Sequence, residues 1–198
     1  TARTKKEILD LFQSQFPDSI KLMPNLVEEF QNNPIGDLAS VYCKPWHWED
    51  KALLIGDAAH AVVPFFGQGM NASFQDCSTL AKLMGQNEND WKTIFNAFSS
   101  VQVENGHAIA DMALENYMEM RDHVNDPEYK KRREMELKLE RMFPGQFIPR
   151  YSMVSFHQIP YAEVYQRGER QFNIIGDVLK ADPSGQSIDI AMVEKMLS

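Results

Sequence analysis

Apolar residues recur at helical spacing over most of the chain, and strict alternation is confined to one stretch near residue 40. Thr4-Lys5-Lys6-Glu7 has the form of a capping box and opens a run with Ile8, Leu9, Leu11, Phe12 and Phe16 at helical positions. Pro17 ends that helix. Leu22, Leu26, Val27 and Phe30 give a second helical pattern, which stops at Asn32-Asn33-Pro34. From Ile35 to Cys43 the pattern alternates, with Leu38, Ser40 and Tyr42 on one face and Ala39, Val41 and Cys43 on the other, which predicts a strand. The aromatic cluster Trp46-His47-Trp48, read as an anchor, leads through Glu49-Asp50 to Ala52-Leu53-Leu54-Ile55. That apolar run ends at Gly56, as a buried strand would.

The remainder reads as helical. No proline falls between Pro64 and Pro127, which leaves room for two or three long helices. Gly69 to Met84 carries Met70, Phe74, Cys77, Leu80, Ala81 and Met84 as a broad apolar face. Gly85 to Asp90 supplies a C-cap and loop, and Asp90 caps a helix opened by Trp91 and running to about His123, with Gly106 a weak interior point. Asp126-Pro127 is an N-cap with a first-turn proline. Tyr129 to Met142 is densely charged, and glutamates around Lys130-Lys131-Arg132-Arg133 make that run a solvated helix face. Pro144-Gly145 breaks the helix, and Phe147 to Phe156 is an aromatic-rich extended or irregular piece. Pro160 starts another helix, and the turn Asp182-Pro183-Ser184-Gly185 precedes a short terminal helix, Ile188 to Leu197. Met112, Met118, Met120, Met135 and Met142 read as core filling. The fold class expected is α+β, mostly α.

Composition removes several functions. Lys and Arg number 20 against 28 Asp and Glu, a formal charge of -8 with no clustered basic face, which argues against a nucleic-acid binder. At 43% hydrophobic and 24% charged the chain has the make-up of a soluble globular protein. Its longest unbroken apolar stretch, Ala61 to Phe66, is six residues long and contains a proline, whereas a bilayer span needs about 20. Cys43 and Cys77, without a CxxC, give neither a disulfide framework nor a zinc site, and reduced cytoplasmic thiols are the expectation. Thr1-Ala-Arg-Thr-Lys-Lys has no initiator Met and no signal core, and reads as the interior of a longer protein.

One segment carries chemistry. In Leu53-Leu-Ile-Gly56-Asp57-Ala-Ala-His60-Ala-Val-Val-Pro64-Phe65-Phe66-Gly67-Gln-Gly69-Met70-Asn71 an apolar strand delivers a glycine and then a carboxylate at its C-terminal end, where ligands sit in open α/β sheets. An ionised aspartate only accepts hydrogen bonds, which suits sugar or ribityl hydroxyls. Gly67-Gln-Gly69 then opens a helix whose free N–H groups and positive dipole end favour an anion. Asp57 alone is more often a helix N-cap, and a lone GxG more often a turn; the two at this spacing fit a polyhydroxy, anionic cofactor. His60 reads as a packing or supporting residue rather than a catalytic base.

Gly56-Asp57-Ala58-Ala59-His60, Pro64 and Gly67-Gln68-Gly69-Met70-Asn71 resemble the second flavin motif of the single-component FAD-dependent aromatic hydroxylases. Leu114-Glu-Asn116-Tyr-Met-Glu-Met120 and Phe147-Ile-Pro-Arg-Tyr151-Ser-Met-Val154 resemble blocks particular to the branch that hydroxylates L-kynurenine. The similarity runs over nearly the whole chain and is weakest after about Arg170. The resemblance implies the C-terminal part of a FAD-binding hydroxylase fold, in which the last strands of the substrate and FAD sheets precede a helical region. Residues 1–44 would then end the substrate domain, 45–85 would close the FAD-binding domain, and 86–198 would form the helical C-terminal region.

The resemblance also implies FAD as cofactor, NADPH and O2 as co-substrates and L-kynurenine as substrate. Asp57 would hold the ribityl chain, and Gly67, Gly69, Met70 and Asn71 would face the pyrimidine end of the isoalloxazine. A helix N-terminus there stabilises the anionic reduced flavin. Phe65 and Phe66 would line the flavin–substrate contact, Asn116 and Tyr151 would meet the amino-acid end of the substrate, and Met120 would lie near the same pocket. Without the resemblance, Asn116 would be read as solvent-exposed and Tyr151 as core. No residue is expected to act as a covalent or acid–base catalyst, and no metal is implied. None of the ten glycines forms GxGxxG, so the pyrophosphate fingerprint and the substrate-carboxylate arginine and tyrosine belong to a missing N-terminal half. That half comes from a second chain, or this chain associates with itself. Asp177 to Ser198 is too polar for the membrane anchor of eukaryotic relatives, which points to a soluble, bacterial-type member. Two alternatives stand beside this reading: a related hydroxylase of another aromatic acid, and a non-catalytic helical interaction module with a vestigial flavin motif.

Overall fold

The computed structural model describes residues 4–88, 90–123 and 126–197. It divides into two compact units, one reaching to Leu38 and the other beginning at Ala39.

In the first unit α1 (Lys5–Gln15) begins with the expected capping box: the Glu7 N–H donates to Thr4 Oγ1 and the Thr4 N–H to Glu7 Oε2. Pro17–Leu22 forms a separate 3₁₀ turn, and α2 covers Leu26–Asn32. Leu22 is therefore outside the second helix, because Pro24 disfavours helical backbone in the residue before it. The Phe12 ring meets those of Phe16 and Phe30 and holds the unit together.

The strand expected over Ile35–Cys43 does not form. An alternating pattern needs a neighbouring ladder for its main-chain groups. Among the described residues of this stretch only the Val41 N–H finds a main-chain partner, Ala61 O at 2.8 Å. The second expected strand shrinks to a two-residue hairpin arm. β1 (His47–Trp48) pairs antiparallel with β2 (Ala52–Leu53), His47 opposite Leu53 and Trp48 opposite Ala52. Leu54 and Ile55 stay partly exposed, since a two-stranded ribbon has nothing to bury them against. Trp46 is the anchor: fully buried with Ala59, Phe98 and Val103, it donates from its indole to Cys43 O and from its main chain to Ser99 Oγ. Trp48 instead lies exposed under the Lys51 ammonium.

Helices make up the rest: α3 (Asp57–His60), a 3₁₀ turn at Pro64–Phe66, α4 (Gly69–Gln86), α5 (Trp91–Met118), α6 (Pro127–Met142), α7 (Arg150–Phe156), α8 (Tyr161–Ala181) and α9 (Ile190–Leu197). Asp90 and Asp126 cap α5 and α6 as expected, and Glu119–His123 continues α5 as a wider π-helical turn. The long helix α5 lies against both α4 and α8. Its Gly106 is required: a β-carbon there would come within 2.6 Å of the Trp46 ring. One core gathers Ala72, Ile109, Met112, Met153 and Val164, and a second Leu139, Phe147, Ile174, Val178 and Val193.

Three further expectations are corrected. The stretch from Phe147 is irregular only to Pro149; from Arg150 it is helical, because turning it buries Met153 and Val154 on one side. The apolar stripe of α4 is split, with Met70 69% and Phe74 62% exposed while Leu80 packs against the Trp46 core, and Ala72 and Asp76 are buried. Of the methionines read as core, Met112 and Met135 are buried, but Met118, Met120 and Met142 are exposed. Among the described residues no helix is long and apolar enough to cross a membrane.

Candidate functional site

The Gly56–Asp57 turn is built by its glycine. Gly56 has φ 59° and ψ -145°, a backbone region open to glycine and strained for other residues. Asp57 follows as the first residue of α3, exposed, and its carboxylate takes no hydrogen bond from the described residues. Gly56 sits directly on α4: a β-carbon on it would lie 3.2 Å from Ser73 Oγ, and its N–H donates to Asp76 Oδ2 at 2.8 Å. The aspartate turn and the start of α4 are therefore adjoining, joined through Ser73 and Asp76.

The second arm is the turn into α4. Gly67 adopts the left-handed conformation at φ 66°, with open space where a β-carbon would stand. Gln68 occupies the N-cap without capping through its side chain, so the first amides of α4, from Gly69 through Asn71, are left to a ligand or solvent. The Gln68 side chain turns inward. Its Oε1 accepts from Asn71 Nδ2 and from the Tyr161 hydroxyl, each at 3.0 Å, which fixes the turn to α8. Burial raises the Tyr161 phenol above its ordinary pKa and keeps it a donor. Met70 projects outward.

Residues from two further elements, α5 and α7, meet the Phe65–Phe66 turn. Asn116, in the last turns of α5, donates from Nδ2 to Phe65 O at 2.7 Å, and the Tyr117 ring lies 4.4 Å from that of Phe65. Phe66 stacks on Tyr151 of α7, with centroids 5.8 Å apart and planes at 24°. Met120, in the π-helical turn, brings Sδ to 3.7 Å from Asn116 Nδ2. Phe66, Asn116 and Tyr151 also share the wall of a cavity of about 140 Å³ with Met112, Arg150 and Gln171. The Asn116 Oδ1 has no partner among the described residues and stays free to accept.

Charged groups frame this cavity. Arg150 pairs with Glu115 through Nη1 and with Glu169 at 2.6 Å through Nη2. Its guanidinium crosses the backbone of α8 at Gly168, where a β-carbon would strike it, and lies 5.4 Å from the centre of the Tyr165 ring. The Tyr165 hydroxyl donates to Glu115, which raises its pKa. Glu136, at the same cavity, is raised mainly by burial.

Sequence reasoning missed a buried polar chain beneath the site. Asp76 takes Gly56 N–H and His60 Nε2 on Oδ2 and Gln102 Nε2 on Oδ1. Gln102 Oε1 accepts from Asn105 Nδ2, and Asn105 Oδ1 accepts from the Ala162 N–H at the start of α8. The available signal was an aspartate two turns inside a helix, where that residue is a poor former.

A family model described as an FAD binding domain matches residues 4–93. Kynurenine 3-monooxygenases of Myxococcus xanthus (strain DK1622) and Xanthomonas euvesicatoria pv. vesicatoria (strain 85-10) are each 42% identical, over 98% and 100% of this chain. That of Legionella pneumophila (strain Lens) is 37% identical over 94% of it. The chain is related to the kynurenine 3-monooxygenases. It spans 42–43% of the length of these relatives. The flavin-motif segment lies inside the FAD binding domain match, whereas Asn116 and Tyr151 lie beyond it, in the span shared with the kynurenine 3-monooxygenases.

Proposed function

We propose that this chain is the C-terminal part of an FAD- and NADPH-dependent monooxygenase that hydroxylates L-kynurenine to 3-hydroxykynurenine, a cytoplasmic enzyme. The observation that carries the reading is the meeting of Phe65, Phe66, Asn116 and Tyr151 beside the start of α4. Those four come from three sequence blocks, the outermost pair, Phe65 and Tyr151, lying 86 residues apart, and converge on one turn.

The residues present fit a flavin. Asp57 offers an unused carboxylate to ribityl hydroxyls, and Gly67 leaves its backbone open to close approach. The uncapped amides of Gly69, Met70 and Asn71 face negative charge favourably at a helix N-terminus. When bound, FAD would supply the oxygen-transfer chemistry, with NADPH as reductant and O2 as oxidant. The protein's share is orientation and exclusion of water. Phe65 and Phe66 form an apolar border, Asn116 Oδ1 accepts from the substrate's ammonium group, and the Tyr151 hydroxyl donates to its carboxylate. Met120 stands beside Asn116 at the edge of the site. No acid or base from this chain is needed, because the aniline ring is itself electron-rich.

The test is NADPH oxidation by the complete enzyme with L-kynurenine, followed by chromatography. Formation of 3-hydroxykynurenine is expected; NADPH consumption that yields no hydroxylated product overturns the reading. Replacement of Asn116 and Tyr151 without change in the KM for L-kynurenine moves the assignment to another aromatic acid.

A further inference from the structure

Asp76 is 2% exposed and His60 1%, yet neither is one of the residues expected to touch a cofactor. An unpaired carboxylate at that depth is prohibitively costly. Here the cost is offset by three donors: Gly56 N–H at 2.8 Å, His60 Nε2 at 2.7 Å and Gln102 Nε2 at 2.8 Å. Because a carboxylate only accepts, the imidazole presents its Nε2 proton to Asp76, while Nδ1 is buried without a partner.

The placement of those donors gives the cluster a purpose beyond stability. The Gly56 N–H lies on the glycine whose φ and ψ aim Asp57, and His60 is the last residue of the short helix that Asp57 begins. Both ends of α3 are thus held by one side chain. That side chain belongs to α4, the helix whose first turn holds Gly69, Met70 and Asn71. One buried carboxylate therefore makes a rigid body of two arms that contact a ligand from separate segments.

We propose that Asp76, with His60 as its donor, is a positioning residue for cofactor binding: it sets the carboxylate of Asp57 relative to the amides at the start of α4 and touches no ligand itself. The inference rests on the FAD reading above. It is tested in the complete enzyme with Asp76→Asn, His60→Gln and His60→Leu, by FAD dissociation constant, visible circular dichroism of bound flavin and apoprotein melting temperature. Asp76→Asn turns one oxygen into a donor facing a donor. FAD affinity is expected to fall about tenfold to a hundredfold, the range that outer contacts command at metal sites, with an altered flavin signal. His60→Gln keeps an N–H donor and restores wild-type affinity; His60→Leu does not. A variant Asp76→Asn that melts lower but binds FAD with wild-type affinity and signal overturns the proposal. Should that variant not fold, equal FAD affinity of the two His60 variants overturns it instead. If the wild-type enzyme itself takes up no FAD, the hydroxylase reading fails first and this inference with it.

Discussion

The Asn116 side chain donates from Nδ2 to the main-chain carbonyl of Phe65 over 2.7 Å, so the end of α5 holds the turn that leads into α4. Asn116 is therefore both a candidate ligand residue and a brace. Asn116→Ala leaves that carbonyl without its donor and costs about 1–2 kcal/mol. Asn116→Asp is the harsher change, since a carboxylate cannot donate and faces the carbonyl with lone pairs. Thermal unfolding should rank wild type above Ala and Ala above Asp, with faster amide hydrogen exchange at Gly67 in both variants.

Gly168→Ala puts a β-carbon where the Arg150 guanidinium lies. The obstacle is the far end of a flexible side chain, so the arginine moves aside and gives up Glu115 and Glu169. Partly exposed pairs contribute little, and stability is expected to drop by only about 1 kcal/mol. Arg150 neighbours Tyr151, and Glu115 neighbours Asn116, so on the proposed hydroxylase reading the KM of the complete enzyme for L-kynurenine should rise well beyond what the melting temperature suggests. Steady-state kinetics and calorimetry on one preparation check the split.

Gly106 and Gly176 make an opposed pair. At Gly106 an added methyl meets the Trp46 ring at 2.6 Å and His60 Cβ at 3.1 Å, neither of which can yield easily. Gly106→Ala should destabilise by about 1–3 kcal/mol. At Gly176, inside α8, nothing lies within 4 Å of the added carbon. Gly176→Ala should therefore stabilise by roughly 0.5–1 kcal/mol through helix propensity. Denaturant titration of both variants should show midpoints moving in opposite directions.

Asp182 organises the turn before α9. Its carboxylate accepts from the Ser184 hydroxyl and from the Ser184 and Ser187 amides, and these hold its pKa down to about 2. The unfolded chain titrates near the ordinary value of about 3.9, so it binds more protons than the folded chain below that pH. The turn's contribution is fully present above about pH 4 and is lost as pH falls through about 2. Ser184→Ala should bring the Asp182 midpoint back toward the ordinary value in a carboxyl NMR titration.

Helix ends were the most legible part of the sequence. Thr4, Asp90 and Asp126 each announce a cap that the structure contains, because capping depends on a few adjacent residues. Sheet was the least legible. Alternation from Ile35 to Cys43 describes what a neighbouring strand could cover, and no such strand is present among the described residues. The apolar stripe of α4 shows a related limit: periodicity reports a face, not what lies against it, and Met70 and Phe74 on that face are exposed. The meeting of Asn116, Phe65, Phe66 and Tyr151 could be anticipated only from likeness to related proteins. Asp76, Gln102 and Asn105 look like ordinary surface polars until α4, α5 and α8 bring them together.

The amides of that buried chain all run head to tail. Each hydrogen-bond step from Ala162 through Asn105 and Gln102 to Asp76 points the same way, so the bond dipoles reinforce one another in a water-poor interior. Such a relay has a polarity, like a wire that conducts in one sense. Exchanging any carboxamide along it for a carboxylate would silence a donor and a neighbour at once, so repairs to this part of the molecule must come as matched pairs.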